Sequence, residues 1–357
     1  MRSGMMASAV VSAALIAVAA VHGAVPAKVS VGKVMTFTDW TVGCDNGLAC
    51  QAVALMADGS YENSLSLVIT RPAGAGAPLA IEMSGFTTKA DRYRVVIDGK
   101  VAQTGNMQVG SETIKVSGLD ALKLARAMAK GKAMRLIDGS GADLGAASLA
   151  GASAALRYID AEQGRASSRN AVVAIGPKMA MAKKVVLPVI TAKKIAPTDM
   201  LPDASALVAL SESSPCAAER FGSTQDTAFS LGAGPGGPQA LVLLNCGAGA
   251  YNFSSGVYIG QADKSGKWTF APAAFDYGAG GFSEDSKIPI LVNADWDAAT
   301  QTISSYAKGR GIGDCGSSET YLWDGTAFRL TSAAAMDECR GSLDWIPVWR
   351  AEVKLTP

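Results

Sequence analysis

The chain has 357 residues, a formal net charge of +1, and a single histidine, His22. Balanced charge argues against a nucleic-acid partner, because nucleic-acid-binding proteins carry a strong positive field. From residue 23 onward there is no imidazole, which excludes Ser-His-Asp and Cys-His catalysis and histidine-ligated metals. Acids and bases would have to be carboxylates, lysines or tyrosines. We assign no catalytic residue and expect no metal centre and no cofactor.

The N-terminus has the pattern of a secretory signal peptide. Arg2 precedes a run of small apolar residues at 7–21, and small residues before Ala24 fit a cleavage site. The run is too short for a membrane-spanning helix, although a retained anchor is the alternative. We therefore expect residues 1–23 to be removed and the mature protein to be periplasmic, without a transmembrane anchor.

Six cysteines follow this segment: Cys44, Cys50, Cys216, Cys246, Cys315 and Cys339. An even number in an exported chain predicts disulfides. Any six cysteines allow fifteen pairings, and proximity in the sequence favours Cys44–Cys50, Cys216–Cys246 and Cys315–Cys339. Free thiols or a zinc site are the alternative, which the absence of C-x-x-C spacing disfavours.

Residues 34–164 are predicted to form an N-terminal α+β domain. Residues 37–44 alternate as one half-buried strand, and a turn at Asp45-Asn46-Gly47 leads to a returning strand at 50–56. Further strands are predicted at 65–71, 79–83 and 92–97. Apolar spacing predicts helices over 119–130 and 152–163, the second ending at Gly164. The first helix carries a basic stripe of Lys123, Arg126 and Lys130, which we interpret as a solvated face rather than an envelope contact.

Residues 165–206, with four prolines and paired lysines, are predicted to be a linker, in which residues 184–190 form an edge strand. Residues 207–357 are predicted to be an all-β antiparallel domain: a sandwich, a barrel or a small propeller-like arrangement. It would begin with a short helix at 216–221 and include a hairpin at Asp324-Gly325. Its strands are predicted at 228–231, 240–245, 256–261, 267–271, 288–293, 302–307, 319–323, 327–331 and 348–353. The predicted fold class is therefore mainly β.

Two segments carry a family resemblance. The pattern Phe-x-Asp-Trp-x-Val-x-Cys at residues 37–44, together with residues 148–165, resembles the invasion-associated locus B type of exported bacterial protein. The chain over nearly its mature length resembles the domain of unknown function 1176 family, on Gly249-Ala250-Tyr251-Asn252 and on residues 308–316 followed by 321–325. These resemblances imply a proteobacterial envelope protein and imply no reaction. Ser255-Gly256-Val257-Tyr258 is similar to a stretch of periplasmic lysozyme inhibitors.

Three motif matches lack the context their chemistry needs. The G-x-G-x-x-G patterns at residues 232–237 and 311–316 precede strands, whereas a dinucleotide fingerprint opens a helix. Asn293-x-Asp295-x-Asp297 has oxygen ligands at calcium-loop spacing, but it lacks the turn glycine and the distant glutamate. Both glycine patterns are interpreted as loops, and calcium near Asp295 is a minor alternative.

The candidate binding residues lie in two stretches, 249–258 and 308–316: Tyr251, Asn252, Ser255, Gly256, Tyr258, Arg310 and Asp314. Lys308, Arg310 and Asp314 are predicted to form an ion-pair cluster that holds the glycine turn; the alternative is that Arg310 anchors an anionic partner. Trp323, Trp345 and Trp349 are predicted to pack in the core or at its rim, and an exposed aromatic binding patch is the alternative.

Two functions from different classes fit these observations. We favour a non-enzymatic binding or accessory protein of the periplasm, an inhibitor or partner of an envelope enzyme, with loops presented on a disulfide-braced scaffold. Its partner would be a periplasmic protein or envelope component. The alternative is a glycan hydrolase that uses two carboxylates across a cleft, drawn from acids such as Asp295, Asp297, Asp314 and Glu319.

Overall fold

The computed structural model describes residues 29–56, 64–181, 183, 185–220, 225–278 and 288–357. The predicted signal peptide at 1–23, and Lys184 and Phe221 at the ends of two predicted elements, lie outside the described residues. Strands dominate and three α-helices are present in the described part, which confirms a mainly β protein. None of these helices is long and apolar enough to cross a bilayer.

The N-terminal unit contains two antiparallel sheets. The six-stranded sheet consists, in spatial order, of β1 (Val34–Phe37), β2 (Trp40–Cys44), β3 (Cys50–Ala54), β4 (Ser66–Arg71), β5 (Ala80–Ser84) and β8 (Thr113–Ser117). The four-stranded sheet consists of β10 (Asp143–Ser148), β9 (Ala133–Asp138), β6 (Arg92–Ile97) and β7 (Lys100–Asn106). Apolar residues from both sheets join one core.

The prediction of a single strand over residues 37–44 is wrong. Thr38 has a φ of 53°, and the chain reverses there, so that Phe37 pairs with Trp40 in a tight hairpin. A β-branched residue rarely adopts a left-handed conformation, so composition gave no signal for this turn. Trp40 and Val42 still share one face, which enters the core.

The two predicted helices are present, and they cover the six-stranded sheet. They are α1 (Gly118–Met128) and α2 (Ala152–Glu162), and their apolar faces are buried in the same core. The basic stripe of α1 is not wholly solvated, because Arg126 donates hydrogen bonds to the carbonyl oxygens of Arg169 and Ala171. The first part of the predicted linker thus packs on this unit.

A buried carboxylate explains that packing. Asp160 on α2 is fully buried and accepts hydrogen bonds from the backbone N–H groups of Val172 and Val173 at 2.9 Å. Val172 joins the core. Arg165, 1% exposed, donates to the carbonyl oxygen of Ala75 at 2.9 Å. Residues 165–173 are therefore built into the fold.

The C-terminal unit is a sandwich of two five-stranded sheets whose facing side chains share one core. One sheet contains β12 (Thr227–Gly234), β13 (Gly237–Ala248), β14 (Phe253–Ala262), β15 (Trp268–Pro272) and β16 (Ile290–Val292). The other contains β17 (Asp295–Asp297), β18 (Thr302–Lys308), β19 (Gly316–Trp323), β20 (Phe328–Met336) and β21 (Ile346–Arg350). Of the predicted arrangements, the sandwich is the one observed, and neither sheet closes into a barrel in the described residues.

Two predicted elements are misplaced. The helix expected at 216–221 is instead α3 (Ala204–Ser213), followed by a 3₁₀ turn at Pro215–Ala218. Asp203 caps α3 by accepting from the N–H of Ala206 at 2.8 Å, a capping signal that the linker interpretation overlooked. The strand expected at 184–190 is β11 (Val189–Lys193), which pairs in parallel with β22 (Glu352–Thr356).

The two units are in contact through β2, β3 and β21. Val53 of β3 joins the sandwich core, and a Cβ on Gly43 would lie 2.7 Å from Ile346 Cγ2. Only glycine allows β21 to approach this closely. Arg340 adds polar contacts to the first hairpin, donating to the Thr38 carbonyl oxygen and to Asp39 Oδ1, both at 2.7 Å.

Candidate functional site

Three disulfides brace the chain in the pairing favoured by proximity: Cys44–Cys50, Cys216–Cys246 and Cys315–Cys339. No free cysteine is found among the described residues. The first closes the β2–β3 hairpin, where Cys44 and Cys50 are directly opposite. The third joins the residue before β19 to the segment after β20, next to the predicted binding loop.

The two predicted binding loops meet in space. Asn252 donates from Nδ2 to the carbonyl oxygen of Lys308 at 2.8 Å, and its Oδ1 accepts from the N–H of Lys308 at 3.2 Å. The Tyr251 hydroxyl donates to the carbonyl oxygen of Gly309 at 2.9 Å. Lys308 Nζ lies 5.7 Å from the Tyr251 ring centroid, within the range of a cation–π contact.

Asn293 stabilises the junction of the two loops through its side-chain amide. Its Nδ2 donates to Asn252 Oδ1 at 3.0 Å and to the Tyr306 carbonyl oxygen at 2.8 Å, while its Oδ1 accepts from the N–H of Phe253 at 2.9 Å. Its φ of 47° is a conformation that asparagine tolerates better than most residues. The sequence interpretation considered Asn293 only as a calcium ligand; the network uses its amide instead.

Arg310 and Asp314 form the predicted ion pair. Arg310 Nε donates to Asp314 Oδ1 at 2.6 Å, and a second contact joins Nη2 to Oδ2. The Asp314 side chain is fully buried and also accepts from the N–H of Gly341 at 2.7 Å. The hydrogen bond from Arg310 lowers the pKa of Asp314 despite its burial. Lys308 contacts the Tyr251 ring and has no salt bridge in the described residues.

Aromatic and aliphatic side chains surround this turn. The Tyr306 and Trp345 rings stack with centroids 4.7 Å apart, and Trp345 Nε1 donates to the Gly313 carbonyl oxygen at 3.1 Å. Ile312 and Leu343 are 61% and 69% exposed. We call residues 249–252, 306–313 and 343–345 the loop platform. Beside it, a groove of about 600 Å³ is lined in part by Lys308, Asp337 and the Cys315–Cys339 disulfide.

The other three predicted binding residues lie within a central strand. Ser255 and Gly256 of β14 pair with β13 on one side and β16 on the other. A Cβ on Gly256 would lie 2.7 Å from Cys216 Sγ, so the glycine makes room for the disulfide. Tyr258 is 5% exposed and packs in the small core around Cys216. Burial raises the pKa of its hydroxyl. Ser255, Gly256 and Tyr258 therefore have roles in strand pairing and core packing, which the Ser/Gly-rich sequence around them did not indicate.

The tryptophans predicted to pack do so. Trp323 is buried in the sandwich core. Trp349 packs against the same core and donates from Nε1 to the Leu330 carbonyl oxygen at 3.1 Å. Trp345 is partly buried against Met336 and Cys315 and forms one edge of the loop platform.

The four acids considered for hydrolysis are engaged separately. Asp297 accepts from the Ala299 N–H and the Thr300 hydroxyl, both at 2.8 Å, and its pKa is lowered mainly by the Thr300 hydrogen bond. Asp314 is held by Arg310, and Glu319 is inside the sandwich. Asp295 is exposed on β17. Asp295 and Asp297 thus share one exposed face of β17, whereas Asp314 and Glu319 are buried. Among the described residues, no three Asp, Glu, His or Cys side chains are grouped as a metal site.

Glu319 is the most perturbed carboxyl group of the sandwich. It is 4% exposed, and desolvation raises the pKa of its carboxyl from 4.5 to about 7, while a hydrogen bond with Ser317 opposes the shift. Its Oε2 atom and the fully buried Tyr321 hydroxyl have no hydrogen-bond partner among the described residues. Tyr277 and Asp276 lie close enough to interact with Tyr321 electrostatically.

The fold and the site define a class: a mainly β protein with three disulfides, whose loops are fixed on a sandwich. The chain belongs to the family described as protein of unknown function DUF1176, whose profile matches residues 34–352. It is similar to the uncharacterized protein YpfG of Escherichia coli strain K12, with 28% identity over 336 residues, covering 88% of this chain and 91% of the relative. No solved structure matches the chain.

Proposed function

We propose that the chain is an exported, non-enzymatic binding or accessory protein of the periplasm that engages an envelope protein through the loop platform. The observation that carries this proposal is the junction of the two loops. Asn252 and Asn293 join loops from different strands, and the Cys315–Cys339 disulfide lies beside them. Holding a loop in one conformation before binding lowers the entropy cost of association.

The composition of the platform fits a protein partner. Interfaces are enriched in aromatic residues and arginine, and their strongest contributions come from such side chains near the centre. The platform presents the Tyr306–Trp345 stack, with Ile312 and Leu343 exposed at its edge. The Arg310 side chain is about one-third exposed and could also meet an acidic group of the partner.

Export is the second part of the proposal. Three disulfides are typical of an oxidising compartment. The signal-peptide pattern at residues 1–23 and the resemblance of residues 37–44 and 148–165 to invasion-associated locus B proteins support the same location. An inhibitor or partner of an envelope enzyme is the role that we infer.

A capture experiment with platform variants tests the binding proposal. Immobilised wild-type protein, incubated with periplasmic extract and washed, should retain one partner in stoichiometric amount. The double variant Ile312→Asp/Leu343→Asp should lose it, because two charges would enter the apolar edge of the interface. The matched control Val101→Asp/Val109→Asp changes two equally exposed apolar residues of the N-terminal unit and should retain the partner. Equal capture by all three proteins would refute the assignment of the platform.

The hydrolase alternative has a separate test. Purified peptidoglycan incubated with the protein should release no reducing ends. Release that is abolished by Glu319→Gln, with retained folding, would establish the enzyme and overturn the binding-protein proposal.

A further inference from the structure

The most exposed apolar side chains of the described chain are gathered in one segment. Met179, Met181 and Val186 are 87%, 81% and 77% exposed, the three highest values among the large apolar residues described. They lie between α2 and β11. We call residues 178–181, 183 and 185–189 the basic strap. Exposed apolar side chains concentrated in this way commonly mark an interaction surface.

The strap is also strongly cationic. Residues 163–198 contain seven lysines and arginines and no aspartate or glutamate, although the whole chain is nearly neutral; one of the seven, Arg165, is buried. Lys178 and Lys183 are exposed on the strap itself, and Lys193 follows it on β11. The exposed lysines of this region therefore place positive charge next to the exposed apolar side chains.

The exposure does not result from a loose segment, because the strap is held at both ends. The Lys178 N–H donates to the Ser167 carbonyl oxygen at 3.1 Å, and the Glu352 N–H donates to the Pro188 carbonyl oxygen at 2.8 Å. Lys183 Nζ donates to the Glu162 carbonyl oxygen at 2.8 Å. Within the strap, Leu187 turns inward against Gly47, while Val186 remains outward. The fold therefore fixes which apolar side chains point to solvent.

We propose that the basic strap docks the protein on an anionic lipid bilayer, with Met179, Met181 and Val186 inserted at the acyl boundary and the lysines among the headgroups. Apolar side chains interleaved with lysines are the pattern that binds such interfaces. A protein partner fits less well, because residues 163–198 contain no aromatic residue and protein interfaces depend on aromatic anchors. A fluid surface needs no shaped pocket, and flexible methionine side chains adapt to it.

Vesicle partitioning tests the proposal directly. The purified protein is mixed with vesicles of equal parts phosphatidylglycerol and phosphatidylcholine, and with vesicles of phosphatidylcholine alone, and the bound fraction is measured by co-sedimentation. We expect binding to the anionic vesicles only, weakened by added salt because the attraction is screened. Each lysine near an anionic surface contributes about fivefold to partitioning, so Lys178→Gln/Lys193→Gln, which leaves the Lys183–Glu162 contact in place, should bind about 25-fold more weakly.

The apolar contribution is tested separately. Met179→Ser/Met181→Ser should weaken binding by about tenfold or more, because two side chains no longer enter the acyl region. The controls Lys100→Gln/Lys264→Gln and Val101→Ser/Val109→Ser change exposed residues elsewhere and should bind as the wild type does. All substituted positions are on the surface, so an unchanged thermal midpoint is expected and is measured alongside.

Three results would overturn the proposal. The first is no binding to anionic vesicles, and the second is strap variants that bind like their controls. The third is vesicle binding that is weakened by the lysine substitutions but not by the methionine substitutions. That result would indicate electrostatic attraction without insertion of apolar side chains into the bilayer. The proposal is independent of the partner of the loop platform, since Ile312→Asp/Leu343→Asp should bind vesicles as the wild type does.

Discussion

Replacing Glu319 by glutamine should change how the stability of this protein depends on pH. The carboxyl is buried in the sandwich, close enough to Tyr321 and Tyr277 to interact with them electrostatically, and Ser317 is its hydrogen-bond partner. Because desolvation raises its pKa from 4.5 to about 7, the folded state holds the proton more tightly than the unfolded state. Stability from this group is therefore fully present below about pH 4.5 and is lost as pH rises through 7.

The size of the effect follows from the shift. A pKa raised from 4.5 to about 7 corresponds to about 3 kcal/mol between the two protonation states, and relaxation around the charge reduces this to about 1–3 kcal/mol. Glutamine has nearly the same shape and no charge. Compared with wild type, Glu319→Gln should therefore have a higher free energy of unfolding at pH 8, by about 1–3 kcal/mol, and a similar one at pH 4.5.

Urea denaturation at pH 4.5, 6 and 8 measures this difference. The matched variant Glu352→Gln removes a charge from an exposed position on β22 and should change the free energy of unfolding by less than about 0.5 kcal/mol. A Glu319→Gln effect of equal size at pH 4.5 and pH 8 would refute the reasoning, because a neutral carboxylic acid and an ionised one would then be tolerated alike.

Three further substitutions test other parts of the structure. Gly43→Val should lower the free energy of unfolding by about 2 kcal/mol or more, because its side chain would collide with Ile346; calorimetry that shows an unchanged midpoint would contradict the close approach of β21. Asp314→Asn should lower the free energy of unfolding by about 1–3 kcal/mol at pH 7. This difference should shrink at lower pH, because acid protonates the wild-type carboxyl, whose pKa is lowered by Arg310. Guanidinium denaturation that gave the same difference at pH 7 and pH 3 would disprove the role of the pair. Tyr321→Phe removes a buried hydroxyl without a described partner and should be neutral or stabilising by about 1 kcal/mol, so a loss above 2 kcal/mol by urea denaturation would reveal a hydrogen bond that the structure does not describe.

The elements with a local cause were predictable from the sequence. Helices α1 and α2 have apolar residues at helical spacing, and each disulfide closes a loop between cysteines that are neighbours in the chain. The Arg310–Asp314 pair is likewise local, four residues apart on one turn. In each case the interacting groups are close in sequence, so the pattern carries the information.

The missed features depend on contacts between distant segments. Gly256 was predicted to be a binding residue, yet it is a central-strand position that makes room for Cys216. Asn293 resembled a metal ligand, yet its amide joins loops more than forty residues apart. The strap was predicted to be part of a linker because its prolines and lysines do not indicate a pairing with β22. The C-terminal end of the strap is held by that strand. No single window of sequence contains both partners of these contacts.

The parallel pairing of β11 with β22 has a consequence for biosynthesis. Every other strand pair named above is antiparallel, and many join close neighbours in the chain, which can associate soon after both strands have been synthesised. β11 must wait until its partner strand, Glu352–Thr356, has been synthesised. A chain halted before residue 352 would leave this one pairing unmade, and protease sensitivity near Pro188 would report whether β11 had paired with β22.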